Sequence, residues 1–381
     1  MTSMPRRTLL SLAAVGGAAL ATGVAAPARA AQAGDDWYAP MRDAIAGLPE
    51  PTATAAQVRV ARPGQVWDGR AGVADTTTGA PVPPGARFRI GSVTKTFTAT
   101  VVLQLAAERR LHLDAPLSRY LPGFLPYAYA HVTVRHLLDH RTGLPSPTWP
   151  DDIEWQLAHR FDHHTPEQLV RLALRNECEF EPGTRQHYTN MGYIVAAVLI
   201  HRVTGRSYAA EIEHRILRPL GLRDTSLPGD DPSIHGPHAR GYQVLPDGTL
   251  FDVTRWNQSA TPASGDMISS VRDLDTFMMA LFGGRLLPAA QQQELFTVPA
   301  VPDLATGAPA TYSAGLTKLV TFPNGQVIWG KSGARYGYSA AIAGTADAAS
   351  RVVYSVNSTD AKSQTQTPVI ERITLTALTL L

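Results

Sequence analysis

Cysteine is nearly missing from this 381-residue chain, where Cys178 stands alone. No disulfide can close within one copy, so packing rather than cross-linking must hold the fold. A lone thiol could be a nucleophile, but a buried structural thiol is the expectation here. Lysine is scarce too, with only Lys95, Lys318, Lys331 and Lys362. Charged residues make up 17% against 44% hydrophobic, a globular composition that excludes wholesale disorder. The formal charge is +2, yet the first thirty residues hold Arg6, Arg7 and Arg29 and no acid. Beyond them 31 bases meet 32 acids, so no basic stripe is left to recruit nucleic acid or anionic lipid. After the N-terminal run, no apolar stretch reaches the ~20 residues of a membrane-spanning helix, and Ile373–Leu381 suits a packing helix instead. Gly-x-Ser-x-Gly and glycine-rich phosphate loops are both absent, which argues against an α/β-hydrolase and against nucleotide chemistry.

What is present begins with a transport address. Arg6-Arg7 precede an apolar run from Thr8 to about Val24, and Ala28-Arg29-Ala30 supplies a small-x-small cleavage site. Residues 1–30 read as a signal peptide of the twin-arginine type, an ordinary Sec signal that carries two arginines being the alternative, and by either route the mature chain is expected to be secreted.

Trp37, Met41, Ile45 and Leu48 then form the stripe of a helix over Asp35–Leu48. Two strand-like runs, Gln57–Ala61 and Gln65–Ala74, flank the turn formers Arg62-Pro63-Gly64. Thr76–Gly85 reads as loop. A long helix from Ser92 to Arg110 follows, with Phe97, Val101 and Leu105 on one buried stripe. The middle is helical: Thr133 caps a turn through His140, Thr165-Pro166 opens a helix to Leu174, and Gly205 divides Asn190–Thr204 from Ser207–Leu217. Leu144–Pro166 reads as a loop. After the Trp256–Met267 loop, Ser270–Leu281 is helix, and Val327–Gly333, Tyr338–Gly344 and Arg351–Asn357 are consecutive antiparallel strands before a last helix. The fold class is therefore α/β (α+β): one antiparallel sheet completed from both termini, flanked by helices, with an all-helical domain inserted. The expected boundaries are 35–95 and 260–381 for the discontinuous sheet domain and 96–259 for the mainly helical one.

Three short motifs carry chemistry. In Ser92-Val93-Thr94-Lys95 the i, i+3 spacing sets a hydroxyl and an amine on one helix face. The positive helix end favours an alkoxide and lowers the lysine pKa, so a neutral amine could take the proton. In Tyr188-Thr189-Asn190 the phenol could act as base or proton donor, and the amide could bond both a substrate carbonyl and the lysine. In Lys331-Ser332-Gly333 the lysine adds positive potential, the hydroxyl can hold a carboxylate, and glycine lets substrate approach the strand. Singly these are a chance match, a surface tyrosine beside a helix cap, and a solvated lysine. Together they are specific, because each occurs once, in order, and they absorb two of the four lysines.

The set resembles the Ser-x-x-Lys, Tyr-x-Asn and Lys-Thr/Ser-Gly elements of serine β-lactamases and penicillin-binding proteins. It is most similar to the class C and Streptomyces-type D-alanyl-D-alanine carboxypeptidase branch. The likeness extends through Phe88-Arg89-Ile90-Gly91, Val134-Arg135-His136-Leu137-Leu138, Arg141-Thr142-Gly143-Leu144, Ser264-Gly265, Ile268-Ser269-Ser270 and Asp273-Leu274, and covers about Trp37 to the C-terminus. The resemblance implies a β-lactamase/transpeptidase-like fold with the active site in the groove between helices and sheet. It implies Ser92 as acylated nucleophile, Lys95 as its proton partner, Tyr188 as acid/base shuttle and Asn190 as holder of the substrate amide. Lys331, Ser332 and Gly333 would tune the field and seat the substrate. The backbone N–H groups of Ser92 and Ala334 would form the oxyanion hole, where losing one donor costs about 3 kcal/mol of transition-state stabilisation. Trp256 would wall the cleft, a core tryptophan being the alternative.

Two departures bear on substrate. Lys331 replaces the histidine of that branch, and Gly315-Leu316 is followed by Thr317 and Lys318 where it places an arginine for a free carboxylate. There is no glutamate motif of the class A deacylating kind, so deacylation would run through Tyr188. The expectation is an exported D-alanyl-D-alanine carboxypeptidase or D-peptidase, working as a monomer on small peptides, cell-wall peptide included, or on β-lactams. A class C-type β-lactamase, an esterase and a low-turnover penicillin-binding module are the alternatives. No cofactor is expected. His159, Asp162, His163 and His164 crowd one loop and His136 and His140 are spaced i, i+4, but without a His-Glu-x-x-His pattern they are read as solvated or capping rather than metal-binding.

Overall fold

The computed structural model describes residues 36–363 and 367–380. The expected signal peptide lies outside them. Helix α1 (Ala39–Ala44) leads to strands β1 (Ala53–Arg62), β2 (Gln65–Asp75), β3 (Ala80–Pro81) and β4 (Phe88–Arg89), and then to helix α2 (Thr94–Ala107). Helices α3 (Val134–Leu138), α4 (Ile153–Ala158), α5 (Pro166–Ala173), α6 (Met191–Thr204), α7 (Tyr208–Ile212) and α8 (Arg218–Leu220) follow. Short strands β5 (Tyr242–Val244), β6 (Leu250–Asp252) and β7 (Ile268–Ser269) precede helices α9 (Val271–Phe282) and α10 (Ala289–Leu295). Strands β8 (Thr317–Thr321), β9 (Val327–Arg335), β10 (Tyr338–Thr345) and β11 (Arg351–Ser358) and helix α11 (Pro368–Leu380) complete the chain.

The main sheet runs β3-β2-β1-β11-β10-β9-β8, each neighbour antiparallel. β1 from one end of the chain pairs with β11 from the other, and nothing between β4 and β7 enters this sheet. Both faces are covered, which explains why β11 is buried along its whole length. Its side chains divide with period two: Val352, Tyr354 and Val356 join Met41, Val369 and Ile373 under α1 and α11. Val353 turns the other way, with Ile342, Phe277 and Met278, into the larger core that includes α2 and α6.

Helix α2 runs through that larger core. Phe97, Val101 and Leu105 are fully buried, and Phe97 stacks on Phe277 of α9 at 3.7 Å. Burial goes beyond the single expected stripe, because the threonines between them are buried too. Each finds an acceptor or donor: Thr96 Oγ1 gives to Gly315 O at 2.8 Å, Thr98 Oγ1 to Ala263 O at 2.7 Å, and Thr94 Oγ1 receives from Met267 N at 3.2 Å. A polar residue type at these positions therefore marks a hydrogen-bonded core rather than a wet face.

Other expectations shift in detail. The first helix is shorter than Asp35–Leu48, although Met41 and Ile45 are buried as its stripe requires. The Leu144–Pro166 loop contains α4, capped by Asp152, whose carboxylate accepts from Glu154 N and Trp155 N at 3.2 Å. Cys178 is exposed rather than buried, its Sγ 3.1 Å from Phe180 O. Among the described residues no helix is long and apolar enough to cross a membrane.

Candidate active site

Gly91 brings the chain into position ahead of Ser92. Its φ is +49°, and a Cβ there would sit 2.5 Å from Ala334 N. A 3₁₀ turn over Gly91–Val93 then holds Ser92 just before α2, with Lys95 in the first turn of that helix. The Lys95 side chain is fully buried. Its Nζ lies 2.7 Å from Asn190 Oδ1, 2.9 Å from Ser264 O and 3.1 Å from Ser92 Oγ. Asn190 occupies the N-cap of α6 but makes no capping bond; its side chain serves the lysine instead.

Burial holds the Lys95 amine well below the usual lysine range, and the charges of Lys331, Lys362 and Arg335 press it lower, against the pull of Asp266. The acceptors then decide the hydrogen-bond pattern. Asn190 Oδ1 and Ser264 O only accept, so a neutral amine spends its two N–H groups on them and turns its lone pair toward the Ser92 hydroxyl.

Tyr188 enters from the loop before α6. Its buried hydroxyl makes no close hydrogen bond among the described residues. Both amines lie over the ring, Lys95 Nζ 4.9 Å and Lys331 Nζ 4.8 Å from its centroid. It packs on His140 at 4.4 Å and Tyr312 at 5.0 Å. Burial raises the phenol far above its usual range, and the neighbouring Ser92 only partly offsets this. The group is therefore a protonated phenol, so of the two roles open in the sequence the structure favours proton donor over standing phenolate. Burial likewise lowers the His140 imidazole, helped by Lys95 and Lys331, so this ring is a neutral wall.

Strand β9 supplies the opposite side. Lys331 is buried, gives one hydrogen bond to Ser332 O at 2.8 Å, and is brought down to about 7 by burial. Ser332 is partly exposed. Gly333 is in tight contact with the nucleophile's backbone, for a Cβ there would lie 2.1 Å from Ile90 O and 2.5 Å from Ser92 N. The Ser92 and Ala334 amides thus belong to two segments in mutual contact. Trp256 is mostly buried and stacks on Tyr336, two residues past Ala334, at 4.3 Å and 13°. It also packs with Leu157 and Val253, so its ring joins the cleft end of β9 to a satellite core.

Three contributors escaped the sequence reading. Ser264 acts through its carbonyl, fixed because Ala263–Met267 is bonded to α2 through Thr94 and Thr98 and because Ile90 N gives to Met267 O at 3.0 Å. A backbone acceptor has no residue-type signature. His140 and Tyr312 reach Tyr188 only through the tertiary fold. Of the histidines expected to be solvated or capping, His159 Nδ1 meets Trp155 O at 2.8 Å, His163 Nδ1 meets Asp230 at 2.5 Å and His136 closes the cap at Thr133, whereas His140 departs from the expectation, being buried against Tyr188. Among the described residues no three His, Cys, Asp or Glu side chains gather as a metal site. Lys318 is exposed on β8.

Because the Gly333 contact is backbone against backbone, Gly333→Ala must push β9 away from Ser92. Acylation of Ser92 by a fluorophosphonate probe is expected to slow by about 100-fold or more, as for loss of an oxyanion donor, with an unchanged far-UV circular dichroism spectrum. Undiminished labelling would contradict this geometry.

The sequence model of the Beta-lactamase family matches residues 29–374. Penicillin-binding protein 4* of Bacillus subtilis (strain 168) is 30% identical over 242 residues, 59% of this chain and 51% of that protein. The chain thus spans about half the length of that relative. Among solved structures, a D-stereospecific amidohydrolase from Streptomyces sp. is 34% identical with a TM-score of 0.76, covering 88% of this chain and 97% of that one. The D-amino acid amidase of Ochrobactrum anthropi SV3, complexed with D-phenylalanine, is 27% identical with a TM-score of 0.76, over 91% and 99%. With nearly its whole described length matched, the chain belongs to the beta-lactamase family and is a serine hydrolase of the kind that includes the penicillin-binding proteins.

Proposed function

We propose that this protein is an exported hydrolase of peptides and amides of D-amino acids, working through an acyl-Ser92 intermediate. The observation that carries the reading is the buried Lys95 amine, 3.1 Å from Ser92 Oγ and held by two groups that only accept. As Ser92 Oγ bonds to the substrate carbonyl carbon, its proton passes to Lys95. The carbonyl electron pair moves to oxygen, received by the Ser92 and Ala334 amides. Collapse of the tetrahedral species breaks the bond to the leaving amine, which takes a proton from Tyr188; the proton held on Lys95 then returns to the phenolate, leaving both groups as they began. Water attacks the ester by the reverse route. Asn190 orients the substrate amide, and Lys331 and Ser332 set the field and hold a polar end of the substrate. Gly333 gives the substrate access to the strand, and Trp256 bounds the cleft.

The D-stereospecific amidohydrolase and D-amino acid amidase, alike over almost all of this chain, support D-configured amides as the substrate class. D-alanyl-D-alanine carboxypeptidase is the narrower form of the reading and has less support. The position after Gly315-Leu316 is Thr317, and Lys318 beyond it is exposed, so no arginine stands ready for a terminal carboxylate. Export rests on Arg6-Arg7, the apolar run and the Ala28-Arg29-Ala30 site.

Fluorescent penicillin is expected to label the wild type and leave Ser92→Ala unlabelled, and D-phenylalanine p-nitroanilide to be cleaved far faster than its L isomer. Labelling that survives Ser92→Ala, or equal rates for the two isomers, would sink the proposal. The charge of Lys331, present below about 7, lowers the Lys95 pKa. Removing it with Lys331→Met makes Lys95 easier to protonate, so the acid limb of kcat/KM is expected to move to higher pH. A limb that stays in place or moves down would contradict the coupling.

A further inference from the structure

Arg335 is the last residue of β9, one position past Ala334. It is only 8% exposed, yet its guanidinium donates no hydrogen bond and makes no ion pair with any described residue, and its Nε is sealed from solvent. Burial draws this group below the usual arginine range. A buried, unpaired charge is costly, and proteins seldom keep one without a use for it.

Its surroundings do not compensate. Arg89, Lys95 and Lys362 all repel it. Arg89 itself is anchored to the Pro232 and Thr254 carbonyls at 2.6 and 2.8 Å. Tyr336 and, after it, the Asp266 carboxyl exert the attraction on Arg335, and neither bonds it. That carboxyl is engaged by Tyr208 Oη at 2.5 Å and is pushed up to about 6 by burial.

Strand β9 serves as a ruler along the cleft. At Lys331 it meets the Tyr188 ring, 4.8 Å away, where the proposed mechanism releases the amine. At Gly333 and Ala334 it touches the backbone of Ser92. Arg335 lies four residues from Lys331, about 13 Å along an extended strand, on the far side of the scissile carbonyl. Residues 331, 333 and 335 share a face, and a Cβ on Gly333 would aim at Ser92 N from 2.5 Å, so this face is turned toward the nucleophile's segment.

We infer that Arg335 is a recognition site for a carboxylate on the acyl side of the substrate, so that the preferred D-residue amides carry an acidic acyl group. A guanidinium presents two parallel N–H donors that match a carboxylate, and the ligand would bring the counter-charge that the protein does not provide. The surrounding cations oppose an ammonium group at the same place. The inference rests on the acyl-serine reading, which fixes which end of β9 faces the acyl part.

The test titrates the Ser92→Ala protein calorimetrically with N-succinyl-, N-acetyl- and N-(β-alanyl)-D-alanine p-nitroanilide, then measures kcat/KM of the wild type on the same compounds. The succinyl compound is expected to bind about tenfold more tightly than the acetyl one, the scale of a hydrogen bond to a charged partner, and Arg335→Gln to cut the ratio to about twofold or less. Arg335→Lys, which keeps the charge, is expected to preserve the order at a smaller ratio; melting curves check that both variants are folded. Equal binding, tighter binding of the β-alanyl compound, or a preference that survives Arg335→Gln would overturn the site. Arg335-dependent binding without any turnover by the wild type would instead uphold the site and overturn the acyl-serine mechanism.

Discussion

Everything at this site depends on one amine taken out of water without a carboxylate to neutralise it. Lys95 is fully buried, and its contacts are a hydroxyl, an amide oxygen and a backbone carbonyl. An ammonium in such a place costs several kcal/mol even after relaxation, whereas a neutral amine needs only acceptors for its N–H groups. The fold supplies those acceptors from segments far apart in sequence: the N-cap of α6 gives Asn190, and the stretch before β7 gives Ser264. The same burial that makes the amine a base keeps the Tyr188 phenol protonated. One physical condition, exclusion of water, thus sets both proton positions in opposite senses.

The sheet topology is what makes this arrangement reachable. β1 and β11 join the ends of the chain, and β9 lies two strands from β11, so Lys331 faces a helix begun more than two hundred residues earlier. Contact there is made by glycine. Gly91 and Gly333 stand where any Cβ would strike the opposing backbone, and the two amides assigned to the oxyanion hole come from the segments they hold together. Along the cleft, β9 carries two buried basic side chains, Lys331 beside the tyrosine in mid-strand and the unpaired Arg335 at the strand's end.

Much of this was legible in the sequence, for stated reasons. The turn formers Arg62-Pro63-Gly64 fixed the first hairpin, and the alternation in Val327–Gly333, Tyr338–Gly344 and Arg351–Asn357 marked three strands that the structure pairs in that order. The Ser-x-x-Lys, Tyr-x-Asn and Lys-Ser-Gly elements do converge around one hydroxyl. What was not legible depended on tertiary context. The single stripe read for α2 left out its buried threonines, because the partners of Thr96 and Thr98, the Gly315 and Ala263 carbonyls, are distant in sequence. Helix α4 spans only six residues in a proline-rich stretch, too short for a period to show. The Ser264 carbonyl and the unpaired state of Arg335 leave no trace in residue type at all.

The claim on which the account turns is that Lys95 is a neutral amine at neutral pH. With only four lysines in the chain, NMR of protein labelled with 13C at lysine Cε and 15N at Nζ would resolve each side chain, and Lys95→Arg would assign the signal. The Lys95 resonance at pH 7 is expected to have the shifts of a free amine and to become ammonium-like only on acidification. A Lys95 signal that stays ammonium-like from pH 5 to pH 9 would contradict it.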